Sequence, residues 1–302
     1  MMLQTKKWRQ YGTFYAFVSP WLIIFITLGV FPLLYGLYLS FTNYTGFNMD
    51  KLKFVGFNNY KTVFEDSESI YALGRTLLVT AINVPLSLAI GLFLAILLNL
   101  KIKGLSWYRT AFYMPSVVPV VSTVLMWKFI FSGEGLLNTF FNRLHLPQVS
   151  WLGYEYATTA LIVMLLWGAG SSLLINLAGL KGIPADLYEA AEIDGASPIR
   201  KFFTVTLPLM THVLFLNLIM GSIASLQMYI QPILLTGKTL LDPPIKPNYL
   251  YLVHAFQQIF AFQRFGYGLA LMWVLFIAIL LLTILVFYSS RYWVYYETEQ
   301  EV

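Results

Sequence analysis

Six apolar windows constrain the fold of this chain more than any other feature of its sequence. A helix needs about 20 largely apolar residues to cross the hydrocarbon core of a bilayer. Each window reaches that length, and backbone groups in lipid must be satisfied within the protein. We therefore predict an all-α, polytopic membrane helix bundle with six transmembrane helices. The windows cover approximately residues 14–41, 73–99, 108–131, 157–180, 206–235 and 265–290.

The composition excludes several other classes of protein. The chain is 58% hydrophobic and 11% charged, whereas soluble domains carry about 25% charged residues. It has no cysteine, so disulfides and cysteine metal sites are excluded. Its three histidines lack ligand spacing, so we expect no metal site. Basic residues do not cluster with aromatic ones, which argues against nucleic acid as a partner. Without a repeat or a low-complexity tract, residues 1–302 are predicted to form one transmembrane domain.

The basic residues predict how the chain is oriented. Lys6, Lys7 and Arg9 precede the first window, and such residues remain in the cytoplasm. The first window is too long for a signal peptide and lacks a small-residue cleavage site, so we interpret it as a retained anchor. Six spans then return the C-terminus to the cytoplasm. A multi-pass protein of the inner membrane, surrounded by lipid, is expected, with residues 181–205 in the cytoplasm.

A polar segment, residues 181–207, separates the fourth and fifth windows and carries strong helix signals. Gly195 is suited to a left-handed helix cap. Ser197 and Pro198 then restart a helix as its cap and first residue. The segment is thus predicted to be a helix–turn–helix beneath the bundle. Its local chemistry fits either a docking element or an amphipathic loop that only fills space.

The spacing of residues within this segment favours docking. Glu-Ala-Ala, three residues, Gly, nine residues, an aliphatic residue, one residue and Leu-Pro follow one another without a mismatch. This pattern resembles the coupling-loop signature of ABC importer permeases. The resemblance implies that a separate ATPase grips this loop. The residues that carry the coupling role are then Glu189, Ala190, Ala191, Asp194, Gly195, Ala196, Leu207 and Pro208.

The resemblance extends along the chain to its carbohydrate-uptake branch. FVSPWLIIFITLGVFPLLYGLYLSF, FVGFNNYKTVF and YRTAFYMPSVVPVVSTVLMWKFIF are similar to the maltose-type first permease subunit. The resemblance implies a second homologous permease, two ATPase subunits that bind ATP and Mg²⁺, and an extracytoplasmic sugar-binding protein. Some maltose-type relatives have extra N-terminal spans and a large external domain. Here the first external loop, about residues 42–72, is short, so small loops are expected to contact the binding protein.

Substrate contacts are predicted in part from the resemblance and in part from side-chain chemistry. A sugar binds to hydroxyl and amide groups beside an apolar or aromatic face. Gln227 and Tyr229 offer that chemistry, so they are also predicted to contact the substrate. Polar residues in spans also form plain interhelical hydrogen bonds, worth about 0.6 kcal/mol. Pro115 and Pro119 interrupt the third window. Interrupted helices often lie near the substrate pathway of a transporter, but such prolines can also form a structural kink. Positions that match sugar contacts in maltose-type permeases are Ser116, Val120, Met164, Trp167, Gly168, Gly221, Ser225 and Met228.

Other functions lack the residues they require. No G-x-x-x-x-G-K-[ST] motif occurs, so the chain is expected not to be an enzyme and hydrolysis belongs to partner subunits. A secondary transporter would need ionisable groups deep in the spans, and an intramembrane protease would need a catalytic dyad. Lys128 is interpreted as snorkelling to the membrane surface. A permease for another solute, such as a glycerol-phosphate compound, remains the alternative to a sugar permease.

Overall fold

The computed structural model describes residues 2–47, 49–100, 103–237, 239 and 241–295, with side chains from Tyr11 onward. Almost all regular structure in these ranges is helical, and Thr42 and Phe54 form an isolated β-bridge. π-helical turns at Phe25–Val30 and Phe202–Thr206, and 3₁₀ turns at Met114–Ser116, Gly168–Ser172 and Lys246–Asn248, interrupt or flank the α-helices. The α-helices are α1 Met2–Ile24, α2 Phe31–Ser40, α3 Asn58–Glu65, α4 Ser67–Leu97, α5 Leu105–Tyr113, α6 Val120–Ile130, α7 Leu136–Arg143, α8 Ala157–Trp167, α9 Leu173–Gly182, α10 Ala185–Ile193, α11 Pro198–Lys201, α12 Leu207–Leu226, α13 Ile230–Thr236, α14 Tyr251–Phe260 and α15 Phe265–Ser290.

Five helical stretches within the described ranges are long and apolar enough to cross a membrane, and a bent pair of helices supplies a sixth crossing if it counts as one span. With the bent pair counted, the prediction of an all-α bundle with six spans is confirmed. We number the crossings in chain order. They are span 1 Tyr11–Ser40, span 2 Ser67–Leu97, broken span 3 Leu105–Ser116 with Val120–Ile130, span 4 Ala157–Gly182, span 5 Pro198–Leu226 and span 6 Phe265–Ser290.

The predicted interruption of the third window at Pro115 and Pro119 is confirmed, and it is a sharp break. The two halves of broken span 3 meet at an angle of 95°. Pro119 has an extended backbone, with ψ of 137°, directly before α6. Proline cannot donate a backbone hydrogen bond, and it disfavours helical geometry in the residue before it. The two prolines therefore divide the window.

The predicted fifth span, residues 206–235, is wrong at both ends. Its helix starts at Pro198, because α11 continues through the π-helical turn into α12. The second helix of the coupling loop is thus the beginning of span 5. At the other end the helix stops at Leu226, and α13 follows as a separate helix. Pro232 would clash with the carbonyl of residue 228 in a continuous helix.

Span 2 also begins earlier than predicted, at Ser67, because the Asp66 side chain caps it by accepting a hydrogen bond from the Glu68 amide (2.9 Å). Span 2 packs against spans 4 and 5 and against α14, so it lies at the centre of the bundle. Only 6% of the most apolar part of span 1 is buried within the chain. Although α2 packs against span 6, span 1 leaves much of its apolar surface to lipid or to another subunit.

The connection between spans 5 and 6 holds a helix that the sequence did not reveal. α14 is buried and contributes to the core at the end of the bundle opposite the coupling loop. Its polar residues His254, Gln257 and Gln258 are almost fully buried. His254 contacts the distant Asp66, whereas Gln257 and Gln258 pair with the nearby Tyr249 and Arg264.

Candidate translocation cavity and coupling loop

The first helix of the coupling loop, α10, is formed and capped as predicted. Gly195 adopts a left-handed conformation with φ of 71°. Its amide donates to the Glu192 carbonyl (3.0 Å), and the Ala196 amide donates to the Ala191 carbonyl (2.9 Å). This is the Schellman arrangement, which favours glycine at that position. Ser197 then caps α11 by accepting a hydrogen bond from the Arg200 amide (3.3 Å).

The surface of α10 is open over most of its length. Glu189, Ala190 and Asp194 are exposed, and Leu207 and Pro208 begin α12. Ile193 and Ile199 leave 87% and 72% of their surfaces exposed at the same end of the bundle. Exposed apolar side chains within a polar surround are typical of a surface that binds another protein. The assignment of coupling residues remains a prediction from the motif.

A cavity of about 450 Å³ lies between spans 2, 4 and 5. Its lining combines aliphatic side chains with neutral hydrogen-bonding groups, and none of its described lining residues is ionisable. Neutral amides and hydroxyls can bind the hydroxyls of a solute, while the aliphatic positions cover its apolar faces. The polar lining residues are Asn83, Ser87, Ser171, Ser172, Asn217, Ser225 and Gln231.

The structure brings four of the ten predicted substrate residues to this cavity. Gly168, Gly221, Ser225 and Met228 line it. Ser225 is nevertheless buried, and its hydroxyl pairs with that of Thr80 (2.9 Å). This contact is an interhelical hydrogen bond, which is the alternative to a substrate contact for a polar residue in a span.

The other six predicted substrate residues, Val120 and Met164 among them, are not in the lining of the cavity. Ser116 donates a hydrogen bond to the Tyr113 carbonyl (2.7 Å) in the break of span 3. Trp167 packs edge-on against Trp127, and Tyr229 stacks on Phe256. Gln227 is exposed at the end of α12. Their substrate role stays a prediction.

A chain of hydrogen bonds ties the cavity to the packing of spans 4 and 5. The Asn217 amide donates to the Asn176 side-chain oxygen (2.9 Å), and the Asn176 amide donates to the Ser172 hydroxyl (3.3 Å). Asn176 is fully buried. Because a buried amide without partners is costly, these bonds fix the side-chain positions on one wall of the cavity.

Sequence reasoning missed three of the four serines in the described lining of the cavity. Ser87, Ser171 and Ser172 lie within apolar windows, where single small polar residues barely change hydropathy. The sequence does carry a local signal for Ser171 and Ser172, which is the GAGSS run at residues 168–172. This run forms the 3₁₀ turn inside span 4. A larger cavity of about 570 Å³, near α11 and α12, has an almost wholly apolar lining. It therefore has little with which to bind a polar solute.

A second polar cluster lies at the end of the bundle opposite the coupling loop. Asp66 accepts a hydrogen bond from the Tyr267 hydroxyl (2.7 Å) and lies 3.3 Å from Nε2 of His254. His254 Nδ1 is 2.9 Å from the Tyr249 hydroxyl, and Lys246 forms an ion pair with Glu68. The cluster joins the start of span 2 to α14 and span 6, so it holds the connection between spans 5 and 6 in place.

Burial and charge perturb the titration of this cluster. Burial lowers the pKa of His254, although Asp66 and Glu68 oppose that shift. For Asp66, burial raises the pKa, but hydrogen bonds from Tyr267 and the Glu68 backbone outweigh it, and the net pKa is lowered. At neutral pH a neutral His254 therefore faces an ionised Asp66.

The interpretation of Lys128 as a snorkelling residue needs correction. Its ammonium donates to the carbonyls of Leu234 and Gly237, both at 3.0 Å. These carbonyls belong to the C-terminal end of α13, where a positive charge complements the helix dipole. Lys128 therefore fastens α6 to α13.

These features define the class of the protein. Membrane spans surround a neutral polar cavity, and an exposed helix joins two of those spans outside the bundle. Such an arrangement is that of a membrane-integral transport component. The family model described as "Binding-protein-dependent transport system inner membrane component" matches residues 87–294. The chain belongs to this family.

Individual relatives agree with that placement. The chain is 36% identical over 293 residues to "Probable ABC transporter permease protein YesP" of Bacillus subtilis (strain 168), covering 95% of this chain and 93% of the relative. It is 32% identical over 281 residues to "Multiple sugar-binding transport system permease protein MsmF" of Streptococcus mutans serotype c (strain ATCC 700610 / UA159), covering 90% and 92%.

A solved structure has the same fold. The crystal structure of a bacterial alginate ABC transporter, in complex with an alginate pentasaccharide-bound periplasmic protein, matches with a TM-score of 0.81 at 20% identity. The match covers 95% of this chain and 96% of that one. The broken third span thus lies within an architecture that a crystal structure also shows.

Proposed function

We propose that this chain is a sugar-translocating permease subunit of an ATP-driven, binding-protein-dependent importer. The observation that carries the proposal is the complete coupling motif, which begins on the exposed helix α10 and runs into span 5, a span that lines the cavity. Spans 4 and 5 flank that helix, and both contribute to the cavity lining. A force applied to α10 therefore acts on the walls of the pathway.

The cavity supports a carbohydrate as the solute. Its seven polar lining residues offer amides and hydroxyls only. These groups match sugar hydroxyls and supply no charge partner for a phosphate or a carboxylate. An anionic group on the solute would have to be neutralised by another subunit. The relative named as part of a multiple-sugar transport system supports the same class of solute.

The proposed assembly supplies what this chain lacks. A second homologous permease would complete the pathway, and two ATPase subunits would bind ATP and Mg²⁺ and contact the coupling residues Glu189 to Pro208. An extracytoplasmic sugar-binding protein would deliver solute to the end formed by α14 and the short loops. This arrangement places α10 and both termini in the cytoplasm. Residues 296–302, at the C-terminus, lie outside the described part of the chain.

The coupling role is tested in the assembled importer with Glu189→Lys and Gly195→Asp. Charge reversal, or a side chain at a left-handed glycine, should lower uptake and ATPase co-purification by more than about ten-fold, since a lost interfacial charge pair costs about 2–5 kcal/mol. Glu155→Lys, an exposed charge reversal outside the coupling loop, is the matched control and should retain the ATPase. Normal uptake by both coupling variants would refute the role. Uptake by the purified chain in liposomes without an ATPase would instead favour a secondary transporter.

A further inference from the structure

The side chains of the coupling helix α10 bind one neighbouring span and not the other. The Tyr188 hydroxyl lies 3.0 Å from the Thr206 hydroxyl at the base of span 5. Lys201, on α11, lies 3.4 Å from the Glu192 carboxylate. Toward span 4, the described residues show only the chain connection through Ile183 and Pro184, without a side-chain hydrogen bond or ion pair. The attachment of α10 is therefore asymmetric.

The two contacts occupy environments in which they hold α10 firmly. Thr206 is only 7% exposed, and Tyr188 is half-buried whereas most of α10 is exposed. The Lys201 side chain is 20% exposed, although its partner Glu192 is 75% exposed. A shielded hydroxyl pair is more rigid than a contact in free solvent, because water competes less for its partners.

Both contacts end on a single helix that reaches the cavity. α11, the π-helical turn Phe202–Thr206 and α12 run without a break from Pro198 to Leu226. Thr206 lies inside the π-helical turn, and such turns frequently mark functional positions. Ser225 lies 19 residues beyond Thr206, which is about 28 Å at 1.5 Å per residue. A displacement at Thr206 is thus transmitted along one continuous helix to the cavity wall.

We propose that Tyr188 and Thr206, supported by Glu192 and Lys201, are positioning residues that transmit movement of α10 selectively to span 5. The proline at residue 184 separates α10 from span 4 and leaves that side as a hinge. The ATPase-driven movement of α10 therefore shifts the span 5 wall of the cavity relative to the span 4 wall. This inference rests on the proposed importer function and names the contacts through which coupling passes.

The test measures solute transported per ATP hydrolysed by the complete importer in proteoliposomes. Tyr188→Phe and Thr206→Val each remove the hydroxyl contact with little change in shape. Each should lower the transport ratio about two- to ten-fold, the range for one neutral hydrogen bond, while ATP hydrolysis continues. The double variant should lose no more than either single variant, because both remove the same contact.

The controls separate transmission from assembly. Thr204→Val changes a threonine two residues away whose hydroxyl donates to the Arg200 carbonyl of its own helix (2.8 Å), so its transport ratio should stay normal. Co-purification of the ATPase with each variant reports assembly. A normal ratio in Tyr188→Phe and Thr206→Val, or additive losses in the double variant, overturns the inference. If Glu189→Lys abolishes uptake while these variants remain normal, the importer function stands and only this transmission route fails.

Discussion

Gly170 and Gly168 provide a matched pair that tests how span 4 supports the cavity. Both lie in the 3₁₀ turn Gly168–Ser172. A Cβ atom on Gly170 would overlap the Phe112 carbonyl oxygen and lie 3.0 Å from its carbonyl carbon. A Cβ atom on Gly168 would have no neighbour within 4 Å. The two alanine substitutions therefore change backbone freedom alike but differ in steric conflict.

The conflict at Gly170 has to be relieved by backbone movement. The overlap with the carbonyl oxygen sets the size of this movement. Because carbon–oxygen contacts lie at about 3.3–3.6 Å, broken span 3 and span 4 must separate by more than about an ångström. Overpacking of this kind costs about 1–3 kcal/mol. At about 2–4 °C per kcal/mol, Gly170→Ala should lower the apparent Tm by roughly 2–12 °C.

The assay is thermal unfolding of the purified chain in detergent, followed by fluorescence-detected size-exclusion chromatography. Gly168→Ala is the control, and its Tm should remain within about 1 °C of that of the parent chain, since no contact is strained. Equal Tm values for Gly170→Ala and Gly168→Ala would refute the close approach of Phe112 to span 4.

Two further predictions concern the cavity and the second polar cluster, around Asp66 and His254. Because the chain has no cysteine, Ser171→Cys introduces a single thiol in the cavity lining; a water-soluble thiol reagent should label it and block uptake, and labelling of Asn142→Cys, exposed on α7 outside the spans, should leave uptake unchanged. The pKa of His254 is below its ordinary value of 6.5, so the folded state binds fewer protons than the unfolded state, and stability is fully present above that value and is lost as pH falls. The apparent Tm should therefore drop between about pH 7 and pH 5, and His254→Gln should reduce that dependence; an equally steep drop in the variant would contradict it. The charged and titratable groups around His254 are Asp66, Glu68, Lys246, Tyr249 and Tyr267.

Hydropathy and local helix signals determined much of this fold. The apolar windows predicted the bundle because a bilayer leaves a long apolar segment little choice except a helix. Gly195 and Ser197 predicted the cap and restart of the coupling loop because these signals act over a few neighbouring residues. The coupling motif is also local, so it could be identified from the sequence without knowledge of any tertiary contact.

The tertiary structure decided where distant polar residues meet. The cavity draws Ser87, Ser172 and Asn217 from three spans, and no local pattern links them. His254 looked isolated in the sequence, yet it lies against Asp66 and Tyr249 because α14 folds back over the start of span 2. The sequence by itself determined which segments enter the membrane and which segment carries the coupling motif. Only packing decided which polar side chains share a cavity, because that choice depends on contacts between residues far apart in the chain.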